Sequence, residues 1–144
     1  MRICLEYNNK IIITDNDVSF FSAGEFKFNI PQGNYYSDGC FELIVNTESK
    51  HINSDIILIC LIANAIDELD IRVPKNLTLN YLPYSRQDRV CNAGESFSLK
   101  VIIGILKNCR FKKIVCLDNH NHDVVESMDN SIENYLVTPS YKIF

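Results

Sequence analysis

Two arginines lie three positions apart in the stretch LPYSRQDRV, directly after an apolar run that predicts a buried strand. The guanidiniums of Arg86 and Arg89 each present a planar fork of N–H donors that matches phosphate oxygens in pairs and stays charged at any working pH. Together they could grip a polyphosphate. The alternative is that Asp88 pairs with one of them in a surface ion pair, which contributes little free energy.

A second polar cluster, DNHNHD, follows the next apolar run at once. Its carboxylates and imidazoles, from Asp118, His120, His122 and Asp123, could together hold a divalent cation. On an extended segment, however, His120 and His122 point to opposite sides, so both cannot easily bind one metal ion. Loop histidines with hydrogen-bond partners are the alternative. The sequence contains no GxxxxGK[ST] phosphate loop and no GxSxG nucleophile elbow.

Hydrophobic periodicity predicts the elements that position these two loops. β-prone runs flank Asn8 and Asn9, which tolerate the positive φ of a tight turn, so an N-terminal β-hairpin is expected. Helices are predicted from about Ser54 to about Leu69, capped by Asn53 or Ser54, and in SFSLKVIIGILKNC. Further strands are predicted in EFKFNI, CFELIVN, NLTLNYLPY and KKIVCL.

The order strand, loop, helix, strand, loop is typical of a βαβ unit, which implies a parallel sheet and a right-handed crossover. Ligands of such sheets bind beyond the carboxyl ends of the strands. Both charged loops, SRQDR and DNHNHD, follow predicted strands and are therefore expected at that edge. No linker or repeat interrupts the chain, so residues 1–144 are expected to form one domain.

Composition narrows the function classes. A chain with 47% hydrophobic and 22% charged residues suits a folded soluble protein. No apolar run reaches the roughly 20 residues of a membrane span, and no signal peptide is recognisable, so a cytoplasmic protein without a membrane partner is expected. The formal charge of −4 argues against a general nucleic-acid binder. A local anion site is favoured by the basic residues crowded mid-chain, which are Arg86, Arg89, Lys100, Lys107, Arg110, Lys112 and Lys113.

The six cysteines are scattered, with no CxxC pair and no zinc-site spacing. Most of them sit inside apolar runs, where a thiol behaves as a small hydrophobic group. Reduced, structural cysteines are therefore expected.

Four motifs, taken in order, carry a family resemblance: FFSAGE, LPYSRQDR, GESFSLK and CLDNHNHD. They resemble the segments FSDGE, PYFGYARQDR, GE-x-x-S-x-K and DLH of the N-terminal half of the ribose-phosphate pyrophosphokinases, also called phosphoribosyl pyrophosphate synthetases. The resemblance covers nearly the whole chain. It implies an α/β fold, namely a phosphoribosyltransferase-like parallel-sheet sandwich with helices on both faces, together with the N-terminal β-hairpin.

The resemblance also implies an activity, the transfer of diphosphate from ATP to the anomeric hydroxyl of ribose 5-phosphate with Mg²⁺. Carried over by position, Arg86 and Gln87 would bind the ATP phosphates, with Arg89 beside them, and His120 would contact the metal–phosphate complex. Phe21 and Glu25 would hold the adenine of a neighbouring subunit. The resemblance therefore implies a homodimer or a higher homo-oligomer.

The chain departs from the family pattern in ways that bear on its substrate. Ala23 replaces the aspartate of FSDGE, and only Ser85 stands between Pro83-Tyr84 and Arg86. The shortened loop is nearer to a divergent, often phage-encoded branch, some members of which pyrophosphorylate ADP-ribose in NAD salvage. ADP-ribose is therefore an alternative acceptor to ribose 5-phosphate.

The family's second domain carries a D-D-x-x-x-T-G run that cradles ribose 5-phosphate, and the present sequence contains none. The chain is thus expected to hold nucleotide without turnover of its own, its catalytic residues being unknown. Two other hypotheses stay open. One is a non-catalytic regulatory partner of a complete synthetase, and the other is an unrelated nucleotide-binding domain with a fortuitous RQDR.

Overall fold

A computed structural model describes residues 1–69, 72–117, 121–129 and 131–135, of which 134 and 135 are described by their backbone alone. The strands are β1 (Ile3–Tyr7), β2 (Lys10–Thr14), β3 (Ser19–Phe20), β4 (Phe26–Lys27), β5 (Phe41–Val45), β6 (Lys75–Leu79), β7 (Lys113–Leu117) and β8 (Ile132–Tyr135). The helices are α1 (Ile52–Asp67), α2 (Ser98–Asn108) and α3 (His122–Met128), with short 3₁₀ turns at Asp15–Asp17 and Ser49–His51.

Six strands form one sheet in the order β2-β1-β5-β6-β7-β8. The β1–β2 and β1–β5 pairs are antiparallel, whereas β5, β6, β7 and β8 run parallel to one another. Strands β3 and β4 form a separate small hairpin. The sheet confirms the predicted α/β fold class, with its parallel strands and N-terminal hairpin.

The N-terminal hairpin turns at the two asparagines that predicted it. Asn8 has φ 49° and Asn9 has φ 63°, and both values lie in the left-handed region that asparagine tolerates. The turn brings Tyr7 opposite Lys10, and a bulge between Leu5 and Glu6 shifts the register of the two strands.

Side chains along the central strands alternate between a fully buried face and a half-buried one. The buried face carries Phe41, Leu43, Val45, Leu77, Leu79, Ile114 and Cys116, and residues of all three helices join the same core. Each parallel connection, from β5 to β6, from β6 to β7 and from β7 to β8, contains one helix, namely α1, α2 and α3 in turn. This alternation of strands and helices is the one predicted for βαβ units.

Helix α2 matches its prediction closely. Leu99, Ile102, Ile103 and Leu106 are buried, as the spacing of the apolar residues predicted, and Lys100 and Lys107 are exposed. Spacing succeeds here because the helix has a single apolar stripe that faces the sheet.

Helix α1 begins two residues earlier than predicted, and its predicted caps are wrong. His51 occupies the N-cap position and makes no side-chain cap hydrogen bond. The Ser54 hydroxyl donates to the His51 carbonyl oxygen at 2.9 Å, and the Asn53 side chain instead accepts a hydrogen bond from Tyr84. Asp55 lies in the first turn, as predicted, but it is buried and pairs with Arg2 and with Thr47, at 2.5 Å from the Thr47 hydroxyl.

Four short elements differ from the prediction. EFKFNI forms a strand only over Phe26–Lys27, and β3, α3 and β8 occupy stretches for which no element was predicted. All six cysteines are thiols, as expected. Among the described residues, no helix combines the length and apolar character needed to cross a membrane.

Candidate functional site

An open pocket of about 520 Å³ lies where the chain leaves β6 and β7 at their carboxyl ends. Its walls come from the segment between β6 and α2, from the start of α2, and from the residue before α3. The lining residues are Arg86, Gln87, Asp88, Arg89, Cys91, Glu95, Ser96, Ser98 and Asn121. The three residues Arg86, Gln87 and Arg89, predicted to bind phosphate, therefore share one pocket at the predicted edge of the sheet.

The loop that carries the arginines is anchored from beneath. Leu82 and Ser85 are buried, and the Ser85 N–H donates to the Leu82 carbonyl oxygen at 3.1 Å. Tyr84 adopts φ 63°, a conformation uncommon for a residue with a side chain, and its hydroxyl donates to Asn53 Oδ1 of α1 at 2.6 Å. This tight turn directs Arg86 and Arg89 outward, where both are exposed.

Neither arginine of the pocket forms an ion pair with a carboxylate in the described part of the chain. The nearest carboxylate in sequence, that of Asp88, instead accepts a hydrogen bond from the Asn121 amide at 2.9 Å. The alternative in which Asp88 neutralises Arg86 or Arg89 is therefore not realised. As far as the described residues are concerned, both guanidiniums keep their donors for a ligand.

The N-terminus of α2 opens into the same pocket. Ser96 and Ser98 line it, and the N-cap residue Phe97 provides no side-chain cap hydrogen bond. The first amide groups of a helix point along its axis without partners inside the helix and carry partial positive charge. One of them, the Leu99 N–H, donates to the Gln87 carbonyl oxygen at 3.2 Å and so joins the helix to the arginine loop.

Glu95 organises the rim of the pocket through hydrogen bonds to the turn that precedes α2. Its carboxylate accepts hydrogen bonds from the Cys91 N–H at 3.0 Å, the Asn92 N–H at 3.1 Å and the Asn92 side-chain amide at 2.5 Å. These bonds, that from the Asn92 side chain first, lower the pKa of Glu95 because they stabilise the ionised form. Glu95 therefore holds the turn that precedes α2.

Of the predicted metal cluster, His120 and Asp118 lie outside the described residues. His122 is the first residue of α3, and its Nε2 lies 3.7 Å from a Glu126 carboxylate oxygen. Within the described ranges, no three side chains of the metal-binding types come together. Asp88 is the remaining carboxylate of the pocket, half-buried and bound to Asn121 through one oxygen.

Phe21 and Glu25 lie in the β3–β4 hairpin, and neither lines the arginine pocket. The Phe21 N–H donates to the Glu25 carbonyl oxygen at 2.8 Å across a turn in which Gly24 has φ 98°. The Phe21 ring lines a different groove, alongside Leu61 of α1, and the Lys27 ammonium lies 5.5 Å from its centroid. The predicted phosphate-binding and adenine-binding residues are therefore separate in one chain.

Of the nine lining residues, the sequence predicted a binding role for Arg86, Gln87 and Arg89 and none for the other six, which include Ser96, Asn121 and Cys91. Asn121 could have been found from its place just before HDVV, because asparagine favours the N-cap position and its Oδ1 accepts from the Val124 N–H at 3.4 Å. Ser96 and Cys91 carry no comparable signal, since both line the pocket only through the path of the loop.

The fold and the pocket define a class: an α/β domain with a cation-lined cleft at the carboxyl ends of its parallel strands. Curated relatives are similar to it over most of its length. Ribose-phosphate pyrophosphokinases of Bacillus subtilis and Corynebacterium ammoniagenes are each 25% identical over 122 residues, which is 85% of this chain and 37% of the relative. Ribose-phosphate pyrophosphokinase 1 of Listeria monocytogenes is 22% identical over 83% of the chain and 36% of its own length.

Among solved structures, the crystal structure of phosphoribosylpyrophosphate synthetase from Mycobacterium smegmatis matches with a TM-score of 0.64 at 16% identity. The match covers 83% of this chain and 39% of that one, and it supports the fold. No protein-family model matches the sequence. The chain is thus a relative of the ribose-phosphate pyrophosphokinases, which confirms the resemblance predicted from the four motifs, and it spans less than two-fifths of the length of these relatives.

Proposed function

We propose that this chain is the nucleotide-binding N-terminal domain of a ribose-phosphate diphosphokinase, a cytoplasmic enzyme that transfers diphosphate from ATP to ribose 5-phosphate. The observation that carries the proposal is the pocket in which Arg86 and Arg89, without carboxylate partners in the described chain, face the uncapped start of α2. The similarity to ribose-phosphate pyrophosphokinases supports the choice of reaction.

A triphosphate suits this pocket for electrostatic reasons. Guanidiniums bind phosphate oxygens through charge-assisted, bidentate hydrogen bonds, and a helix N-terminus adds amide donors and a favourable dipole. Phosphoryl transfer depends on positioning and on neutralising charge, and arginines and a metal ion supply both. Gln87, exposed between the two arginines, adds a neutral donor and acceptor.

The Mg²⁺ ion of the proposed reaction would enter with the nucleotide. Mg²⁺ in nucleotide enzymes is commonly held by one or two carboxylates together with the substrate phosphates, so a complete cage of protein ligands is not required. The half-buried Asp88 carboxylate is the described group that suits this role, directly or through water, and His120 is proposed as a further contact to the metal–phosphate complex.

The acceptor would bind to residues outside this chain's pocket. The 144 residues contain no D-D-x-x-x-T-G run, which in the family cradles ribose 5-phosphate. We therefore propose a division of labour in which this domain holds ATP and another domain holds the acceptor. Ribose 5-phosphate is the proposed acceptor, with ADP-ribose as its alternative.

Calorimetric titration with Mg-ATP tests the nucleotide site. We expect the wild-type chain to bind weakly and Arg86→Ala to lose about 1.5–3 kcal/mol of binding free energy, the range for a hydrogen bond to a charged group. Arg86→Lys should recover only part of this loss, because an ammonium keeps the charge without the bidentate fork.

Arg72→Ala is the matched control, since it removes one exposed arginine that lines a separate pocket beside Lys112. Its affinity for Mg-ATP should equal that of the wild type. If Arg72→Ala and Arg86→Ala weaken binding equally, the effect is one of net charge and the assigned pocket is wrong. If none of the proteins binds nucleotide, the proposed function fails.

A further inference from the structure

Two thiols from different helices face each other on the side of the domain away from the nucleotide pocket. Cys60 lies on α1, and Cys109 is the residue that caps the C-terminus of α2. Their sulfur atoms are 3.6 Å apart, although the residues are separated by 49 positions in the sequence. Cys109 is buried, whereas Cys60 is half-buried.

The other cysteines have different surroundings. The Cys4 thiol lies 3.7 Å from a Glu6 carboxylate oxygen, and the Cys40 thiol lies 3.9 Å from a Glu42 carboxylate oxygen. A neighbouring carboxylate disfavours a thiolate, so these positions suit unreactive thiols. Cys91 is exposed on the rim of the nucleotide pocket.

The hydrogen bond between the two thiols shifts their pKa values in opposite directions. Cys109 donates a hydrogen bond to the Cys60 sulfur, and this bond lowers the pKa of Cys60 to about 7 against the opposing effect of burial. The same hydrogen bond, with burial, raises the pKa of Cys109. Cys60 is therefore the thiol of the pair that ionises first, and Cys109 is the thiol that supports it.

A small oxidant can reach the pair. A cavity of about 260 Å³ is lined by both cysteines together with Asn64, Asn108 and Arg110. The Arg110 guanidinium is largely exposed at its mouth, and the cavity exceeds the volume of a peroxide molecule many times over. The half-buried Cys60 sulfur is the more accessible of the two.

We propose that Cys60 and Cys109 form a peroxide-reactive dithiol that oxidises to a disulfide between α1 and α2. The Cys60 thiolate attacks one oxygen of a hydroperoxide, the O–O bond breaks, and the departing oxygen takes up a proton to leave as water or alcohol. The Cys109 sulfur then attacks the Cys60 sulfenic sulfur, and the S–O bond breaks. The released hydroxide takes the Cys109 proton as water, so two thiols lose two electrons and one peroxide gains them.

Forming the disulfide requires the two sulfur atoms to move closer together. The sulfurs must close from 3.6 Å to about 2.05 Å, the length of a disulfide bond. Cys109 stands where α2 ends and Arg110 turns into φ 56°, so the shift falls at a helix terminus rather than inside a helix. The start of α2 lies about 16 Å away along the helix, at 1.5 Å per residue, so the nucleotide pocket should keep its shape.

The test is to treat the full chain with one equivalent of hydrogen peroxide and to map disulfides by mass spectrometry. The expected product is monomeric by non-reducing electrophoresis, lighter by two hydrogen atoms, and cross-linked between the peptides of Cys60 and Cys109. Its Tm should rise, because the disulfide closes a 49-residue separation in the unfolded chain, and dithiothreitol should reverse the rise. The rate should grow roughly tenfold between about pH 6 and pH 8, following the Cys60 thiolate.

Variants assign the roles of the two sulfurs. Cys109→Ser should stop at a Cys60 sulfenic acid that dimedone traps, and Cys60→Ser should leave Cys109 unoxidised. Cys40→Ser, which changes another half-buried thiol, should form the cross-link at the wild-type rate. A wild-type product in which Cys60 and Cys109 remain thiols, or in which Cys60 carries two or three oxygens without a cross-link, would overturn the proposal, and this result needs no variant to fold.

Discussion

Asp88 stands between Arg86 and Arg89 in the sequence but does not pair with either of them. Its carboxylate accepts a hydrogen bond from Asn121, on the loop before α3. A contact between two loops thus preserves the positive charge that makes the pocket an anion site.

Removing the Asn121 side chain should disturb both loops. In Asn121→Ala, Asp88 loses its partner and becomes available to the arginines, so affinity for ATP, measured without Mg²⁺, should fall. Helix α3 also loses its N-cap, which costs about 1 kcal/mol. Calorimetric titration and urea unfolding measure the two effects separately.

The double variant Asn121→Ala/Asp88→Asn distinguishes released charge from a disordered loop. Measured without Mg²⁺, for which Asp88 is the proposed ligand, the affinity of the double variant for ATP should return towards the wild-type value, since the Asp88 carboxylate no longer competes for the guanidiniums. Asn16→Ala, an exposed asparagine whose side chain makes no hydrogen bond in the described chain, should change neither measurement. If the double variant binds as weakly as the single one, Asp88 is not the competitor.

The sequence was enough to predict the binding role of the two arginines, because a guanidinium suits phosphate whatever the surrounding fold. It also showed where the strand before them ends, since apolar residues there give way to polar ones. Glu95 belonged to a recognised motif, but its function as an acceptor for Cys91 and Asn92 depends on the conformation of the turn. The role of Asn121 depends on a contact with Asp88, which lies 33 positions away in the sequence on another loop. Such contacts are properties of the tertiary structure, which no local pattern encodes.

At the element scale, periodicity worked for long amphipathic segments and failed for short ones. Helix α2 has 11 residues, enough to repeat its apolar spacing, whereas α3 has 7 and β8 has 4. The start of α1 was misplaced because the side chains expected to cap it are used elsewhere. The Asn53 side chain accepts a hydrogen bond from Tyr84, and the Ser54 hydroxyl donates to the His51 carbonyl oxygen.

Gly104 offers a stability test of α2 that leaves the pocket intact. The residue is exposed within the helix, and a Cβ atom added there would meet no atom within 4 Å. Gly104→Ala should therefore stabilise the protein by about 0.5–1 kcal/mol, because alanine loses less backbone entropy than glycine on forming a helix. Thermal unfolding should show a Tm higher by a few degrees.

Gly39→Ala is the opposite case. A Cβ at this buried position would collide with the ring and hydroxyl of Tyr7. That hydroxyl donates to the Tyr36 carbonyl oxygen at 3.0 Å and accepts from the Tyr36 N–H at 2.7 Å. Overpacking of this kind costs about 1–3 kcal/mol. If Gly104→Ala also lowers the Tm, the helix is strained at that position and the entropic argument does not hold.

At the scale of the whole molecule, the β3–β4 hairpin exposes two aromatic rings that its own domain leaves uncovered. Phe20 is 61% exposed and Phe21 is 53% exposed, so these rings do not fill the core of their own domain. The exposed Phe21 ring shares a groove with Leu61, itself 40% exposed, and together they form an apolar surface of the kind that marks protein contacts.

We expect a symmetric dimer in which the hairpin of one subunit completes the nucleotide pocket of the other. Phe21 and Glu25 would then reach the adenine of ATP held by the Arg86 and Gln87 of the neighbouring subunit, although the two sets are separate within one chain. Closed two-fold contacts are the commonest form of homo-oligomer, and light scattering across a dilution series would measure the mass. A chain that stays monomeric at high concentration contradicts this arrangement.

Mixing variants tests the shared site directly. Glu25→Ala and Arg86→Ala chains should each bind Mg-ATP weakly on their own. When the two are mixed and exchange subunits, binding should recover in part, because one site of each mixed dimer receives both intact residues. With random exchange, half of the dimers are mixed and about a quarter of all sites should regain wild-type affinity. Arg86→Ala mixed with Gln87→Ala is the control: both residues come from the same subunit's pocket, so every site stays defective. Recovery in the control, or none in the test mixture, would place the nucleotide site within one chain and leave the hairpin a purely structural element.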